Sequence, residues 1–312
     1  MKGPLFYSKI LLFGEYGIIK DSKGLSIPYN FYNGALKVDE HPSVEALKSN
    51  ESLRRFAAYL EDLQSESTDL VSFQLELMKE DINRGMYFDS SIPQGYGVGS
   101  SGALVAAIYD KYANNKITVL ENLTREKLLQ LKTIFSHMES FFHGKSSGLD
   151  PLNSYLSIPI LINSKDNIEA TGIPSQSTEG KGAVFLLDSG IVGETAPMVN
   201  IFMENLKDQG FRKMLKTQFV KYTDACVENF LGGDMPSLFS NTKKLSRIVL
   251  NNFKPMIPEQ FHGIWQKGID TNDYYLKLCG SGGGGYILGF TQDLEKAKIS
   301  LKDYKLEVVY QF

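Results

Sequence analysis

The sequence predicts a two-domain protein that mixes helices with strands. Apolar, strand-like runs sit near both ends, at 5–13 and 306–310. Amphipathic helical patterns occupy much of the chain between them. A polar, turn-rich stretch at 164–182 interrupts the pattern near the middle and marks the boundary. The expected domains are therefore 1–170 and 171–312. With 312 residues, 42% of them hydrophobic and 22% charged, the chain has material for two cores.

Residues 5–13 read as a strand stopped by Gly14, with Lys9 inside the apolar run. A strand is expected at 16–19, a turn at 20–24, and extended segments at 25–28 and 35–38. Ser43 is placed to cap a helix over 44–63, with Leu47, Leu53, Phe56, Ala57 and Leu60 near one face; 64–69 follow as a loop. Residues 86–88 form a strand that leads into Pro93-Gln94-Gly95-Tyr96-Gly97-Val98-Gly99-Ser100-Ser101-Gly102, and the apolar run through Tyr109 then makes a helix. Thr124 caps a long helix whose apolar positions are Leu128, Leu131, Phe135, Met138 and Phe142, closed by the small-residue loop 144–151. Beyond the boundary, 183–187 is a buried strand, and helical patterns cover 198–206, 211–231, 237–251 and 257–267. Strands at 274–278 and 286–290 flank the glycine run 280–285, and a short helix precedes the last strand.

The glycine stretch is the first chemical signal. Gly95, Gly97 and Gly99 allow the chain to turn its N–H groups inward, and Ser100 or Ser101 is a natural N-cap. Amides gathered at a helix start carry partial positive charge and suit a phosphate, although an ordinary helix-capping turn would look similar. Two better-known phosphate loops are excluded. No strand leads directly into the G-x-G-x-x-G of 97–102, and Ala103-Leu104 stands where a P-loop needs Lys-Ser/Thr.

Glu139 falls on the apolar stripe of its helix, four after Phe135 and three before Phe142. A carboxylate there must be paired, protonated or metal-bound, because an isolated buried charge is too costly. Asp150 lies on a rigid Gly-Leu-Asp-Pro turn, as an Asx-turn residue or as a carboxylate able to take a proton from a hydroxyl. Lys9 either snorkels out of its strand or is a fixed cation near phosphate or near that carboxylate. The run Gly280-Ser281-Gly282-Gly283-Gly284-Gly285 has more glycine than a turn needs and suits close packing against a backbone or a ligand.

Other classes find no support. The net charge of −3 argues against a nucleic-acid surface. Two cysteines cannot frame a disulfide scaffold, the four histidines are scattered, and no G-x-S-x-G elbow occurs. With no signal-peptide core and no membrane-length apolar run, a cytoplasmic protein without membrane contact is expected.

Three motifs stand in order: Lys9 with Gly14-Glu15, then Pro93 through Ala103, then Lys277-Leu278-Cys279-Gly280-Ser281-Gly282-Gly283-Gly284-Gly285. This order resembles the galactokinase–homoserine kinase–mevalonate kinase–phosphomevalonate kinase (GHMP) superfamily over nearly the whole chain. The resemblance implies a two-domain α+β fold, ribosomal-protein-S5-like in its N-terminal half and ferredoxin-like in its C-terminal half. Within the superfamily the pattern is most similar to mevalonate kinases, through Glu139 followed by His143-Gly144-Lys145-Ser146-Ser147-Gly148-Leu149-Asp150.

The resemblance implies an ATP- and Mg²⁺-dependent kinase acting on a small-molecule alcohol, the primary hydroxyl of mevalonate. Pro93, Gly95, Gly97, Gly99, Ser100, Ser101 and Gly102 would hold ATP, and Ser101 and Glu139 would bind Mg²⁺. Asp150 would be the catalytic base and Lys9 would polarise the reacting hydroxyl. Glu15, Tyr16, Thr195, Gly282 and Gly283 would face the substrate. A homodimer is compatible with the resemblance. The departures are Tyr7-Ser8-Lys9 for Pro-Gly-Lys, Tyr16 for a histidine, Gly102 for an alanine, and no basic residue just before Thr195. They leave phosphomevalonate kinase, another GHMP kinase, or an inactive ATP-binding regulator as alternatives.

Overall fold

The structure, a computed structural model, describes residues 4–66, 70–118, 123–177 and 179–312. They form two compact units, each assembled from separated stretches. The first comprises the residues up to Lys9, Pro28–Pro93 and Gly99–Ile158; the second comprises Ile10–Ile27, Gln94–Val98 and Pro159–Phe312.

The chain opens with strand β1 (Phe6–Phe13), then β2 (Gly24–Val38), whose later residues pair antiparallel with β3 (Met86–Ser90) in the first unit. Two sequence expectations change here. Residues 16–19 are not a strand: Gly17–Lys20 form a 3₁₀ turn, entered through Tyr16 at φ 59°. The two extended segments at 25–28 and 35–38 are parts of the single strand β2. Pro28 lies within this strand.

The first unit's helices are α1 (Val44–Glu66), α2 (Leu75–Asn83), α3 (Ser100–Tyr112), α4 (Arg125–His143) and α5 (Leu149–Leu156). α1 buries Leu53, Phe56, Ala57 and Leu60 as its period requires, but Leu47 is 55% exposed. Its last turn takes in residues 64–66 of the expected loop; 67–69 lie outside the described residues. Thr124 caps α4 by accepting the Lys127 N–H at 3.4 Å, and Leu128, Leu131, Phe135, Met138 and Glu139 are buried on one stripe. Phe142 is half-buried.

Helix α3 is the unit's central rod, with Ala103, Val105, Ala106, Ala107, Ile108 and Tyr109 all buried. Its small residues let α4 and α5 approach closely, and the Tyr109 ring meets Phe135 and Tyr155 edge-on at 5.0 and 5.2 Å. Its N-cap is Gly99, in the left-handed conformation, and not Ser100 or Ser101. Both serines lie inside the first turn, which frees the Ser101 hydroxyl for other partners.

In the second unit, β4 (Ile160–Ser164) and β5 (Asn167–Ala170) make a hairpin that pairs with the start of β2. Next comes β6 (Ala183–Asp188), a continuous apolar run buried on both faces. Helices α6 (Thr195–Asn205), α7 (Gln209–Met214), α8 (Val220–Leu231), α9 (Met235–Asn252) and α10 (His262–Thr271) follow, with a π turn joining α7 to α8. Strands β7 (Tyr275–Leu278) and β8 (Tyr286–Thr291), helix α11 (Leu294–Ser300) and strand β9 (Leu306–Gln311) end the chain. The sheet order β7-β8-β6-β9, antiparallel throughout, is the ferredoxin-like arrangement of two split βαβ units. Among the described residues no helix is long and apolar enough to cross a membrane.

Candidate active site

The first unit gathers Lys9 with Asp150, and Ser101 with Glu139 and His143, in two sets of direct contacts. Lys9, buried in β1, extends Nζ to the Asp150 carboxylate at 2.9 Å. Asp150 lies in the first turn of α5, where the helix dipole favours an anion, and its side chain stays 38% exposed. Gly102 makes this approach possible: a Cβ there would lie 2.7 Å from the Asp150 carbonyl carbon, so the starts of α3 and α5 touch backbone to backbone.

Glu139, 3% exposed, faces the start of α3. Its Oε1 accepts the Ser101 hydroxyl at 2.9 Å, and its Oε2 accepts the Ser146 hydroxyl. Burial first, then the Asp150 carboxylate, push its pKa up to about 7, against the opposing pull of the serine hydroxyls and Lys9. His143 Nε2 lies 3.0 Å from the same Ser101 oxygen. Burial holds the His143 imidazole below its ordinary value, with Asp150 opposing.

The remaining phosphate-loop residues divide by unit. Pro93, Gly99, Ser100 and Ser101 belong to the first, whereas Gly95 and Gly97 belong to the second. There Gly97 packs against the second glycine run, where a Cβ would meet the Cys279 carbonyl oxygen at 2.5 Å. The close backbone packing expected of residues 280–285 is thus found, with Gly285 donating its N–H to Ile191 O at 2.6 Å.

The second unit also joins most of the residues assigned to the substrate. Tyr16 donates its hydroxyl to Ser281 O at 2.8 Å, and Ser281 donates to Thr195 Oγ1 at 3.4 Å at the exposed start of α6. Gly283 donates to Met256 O at 2.7 Å, and Gly282 is its neighbour in the same run. Glu15 is buried and receives Lys277 Nζ at 2.5 Å. A small cavity of about 10 Å³ borders Gly14, Glu15, Tyr16, Thr223 and Lys277. Burial, then Glu15, raise the Tyr16 phenol, so it stays a neutral donor.

Sequence reasoning gave no role to His143, Ser146, Ser281 or Lys277. Lys277 carried the signal that drew attention to Lys9, a cation inside an apolar strand. The serines carried none, since hydroxyls of loop residues are ordinary on any surface.

The arrangement sets a buried carboxylate bonded to a hydroxyl next to a cation–carboxylate pair. The family model for the GHMP kinases N terminal domain matches residues 53–157. Among solved structures, mevalonate kinase from L. major in complex with R-mevalonate is 17% identical, with 100% of this chain and 99% of that chain covered and a TM-score of 0.64. Methanococcus jannaschii mevalonate kinase is 15% identical over 99% and 98% of the two chains, with a TM-score of 0.60. Streptococcus pneumoniae phosphomevalonate kinase, in complex with phosphomevalonate and AMPPNP, is 13% identical over 98% and 99%, with a TM-score of 0.63. Comparison with curated protein sequences gives no significant match. The matched segment carries the GHMP kinase N-terminal domain, and the fold of the whole chain is that of the GHMP kinases, mevalonate kinases among them. GHMP kinases are phosphotransferases that use ATP.

Proposed function

We propose that this chain transfers the γ-phosphoryl group of ATP to the primary hydroxyl of mevalonate. The observation that carries the kinase reading is the Lys9–Asp150 pair beside the Ser101–Glu139 pair, all on elements of the first unit. Phosphoryl transfer asks a protein mainly for positioning and charge neutralisation, and these two pairs supply both. The Asp150 carboxylate accepts the proton of the acceptor hydroxyl. Lys9 orients Asp150 and stabilises the developing alkoxide with its fixed charge. The amides of the first turn of α3 face the phosphates.

Mg²⁺ fits the donor set. It is commonly held by one or two carboxylates together with substrate phosphates and water, and Glu139 with Ser101 offers a hard-oxygen pair of that kind. Among the described residues no three His, Cys, Asp or Glu side chains form a cage by themselves, so substrate oxygens would complete the shell. When bound, the ion would neutralise phosphate charge and favour the ionised form of Glu139.

Mevalonate as acceptor is supported by the Glu139-to-Asp150 motif and by the fold likeness to mevalonate kinases. Phosphomevalonate is the second reading, because the likeness to a phosphomevalonate kinase is as good, with a TM-score of 0.63 against 0.64. An ADP-release assay over mevalonate, phosphomevalonate, homoserine and galactose tests both. The expected result is turnover with mevalonate as the best acceptor. Preference for another acceptor replaces the substrate assignment, and ATP binding without turnover of any acceptor ends the kinase reading in favour of a regulator.

A further inference from the structure

We infer that Ser146 is a positioning residue for the metal-side carboxylate: its hydroxyl fixes the plane of the Glu139 carboxylate and leaves Oε1 as the oxygen presented beside Ser101. This rests on the proposed Mg²⁺-dependent kinase reading. Ser146 is itself held from two sides. Its carbonyl oxygen accepts the Ser136 hydroxyl at 2.5 Å, and Ser136 lies on α4 three residues before Glu139. Its own Oγ accepts the Gly148 N–H at 3.1 Å. The Ser146 hydroxyl proton is therefore directed to Glu139 Oε2, which it meets in a short hydrogen bond.

The consequence is geometric. A carboxylate end group rotates about a broad, soft torsion, so burial alone does not decide which oxygen faces a ligand. Here the loop after α4 returns to the helix that carries the carboxylate and pins one oxygen. The other is left toward Ser101 and, through it, His143. Partners that orient a metal ligand in this way commonly change metal affinity about 10–100-fold when removed.

The test is a calorimetric titration of Mg²⁺ into the full-length protein saturated with ADP, for wild type, Ser146→Ala and Ser140→Ala. Ser140 also hydrogen-bonds within α4, donating to Ser136 O at 2.7 Å, and serves as the structural control. The expected result is Mg²⁺ affinity weaker by about 10–100-fold in Ser146→Ala, with ADP affinity in the absence of Mg²⁺ unchanged and Ser140→Ala at the wild-type value. Should Ser146→Ala not fold, Ser146→Cys, whose thiol is a weaker donor, takes its place with a weakening in the same direction. Wild-type Mg²⁺ affinity in the folded variant overturns the inference alone. Absence of Mg²⁺-dependent ADP binding in the wild type overturns the kinase reading and this inference with it.

Discussion

Two buried carboxylates, one in each unit, show how differently the same group can be used. Glu15 in the second unit is 7% exposed and receives Lys277 at 2.5 Å, so its charge is balanced by the fold. Glu139 in the first unit is 3% exposed, yet its two oxygens are met by the neutral hydroxyls of Ser101 and Ser146. Hydroxyls satisfy lone pairs without supplying positive charge, which is why burial lifts Glu139 to about 7. The contrast teaches that a buried carboxylate bonded to a cation is neutralised within the fold, whereas one met only by hydroxyls keeps a proton more readily.

The largest effect should come from the pair proposed to carry the chemistry, Lys9 with Asp150. Asp150→Asn removes the proton acceptor but keeps the shape, and kcat should fall by about 10²–10⁴ with the fold intact, measured as steady-state ADP release. A near-native kcat would shift the activating role to Lys9.

Breaking the Glu15–Lys277 pair should cost stability. Lys277→Met removes the cation bonded to the buried Glu15 and should lower unfolding stability by about 3–5 kcal/mol in urea titration. The double variant Glu15→Gln/Lys277→Met should recover most of that loss. If the single variant is as stable as wild type, Glu15 is not balanced by Lys277 and the comparison fails.

For Glu139 the sign reverses. Its folded pKa of about 7 lies above the ordinary 4.5, so the folded protein keeps a proton that the unfolded chain releases across that window. Its contribution is complete below the unfolded value and is lost as pH rises through about 7. Glu139→Gln should therefore melt above wild type at pH 8 without ligand, with the difference vanishing near pH 4, while Mg²⁺-dependent ADP binding is lost. A variant less stable than wild type at pH 8 would count against the raised pKa.

The smallest effect sharpens the second unit. Tyr16→Phe removes one hydrogen bond to Ser281 O and keeps the ring against Phe202, 4.5 Å away. The expected loss is about 0.5–1.5 kcal/mol in thermal unfolding. A loss several times larger would give Tyr16 a further structural role.

Much of the fold was legible because burial imposes a period. The stripe Leu128, Leu131, Phe135 and Met138 specified α4, and the apolar run at 183–187 specified β6. The same logic singled out Lys9 and Glu139, charged residues where the pattern demanded apolar ones. α5 escaped notice because it is eight residues long and carries Pro151 in its first turn, which reads as a loop after a glycine. α2 and the β4–β5 hairpin are likewise too short for a period to stand out.

The sequence by itself determined most of the buried positions of α1 and α4, where the glycine turns fall, and that Lys9 and Glu139 sit against the apolar pattern, since these follow from local periodicity and backbone sterics. Only the tertiary structure decided that Lys9 reaches Asp150, that Ser101 is a helix residue whose hydroxyl turns to Glu139, and that Lys277 neutralises Glu15. Those partners lie 141, 38 and 262 residues apart in the chain. Contacts at such separations are chosen by the packing of whole elements, and no local pattern encodes them.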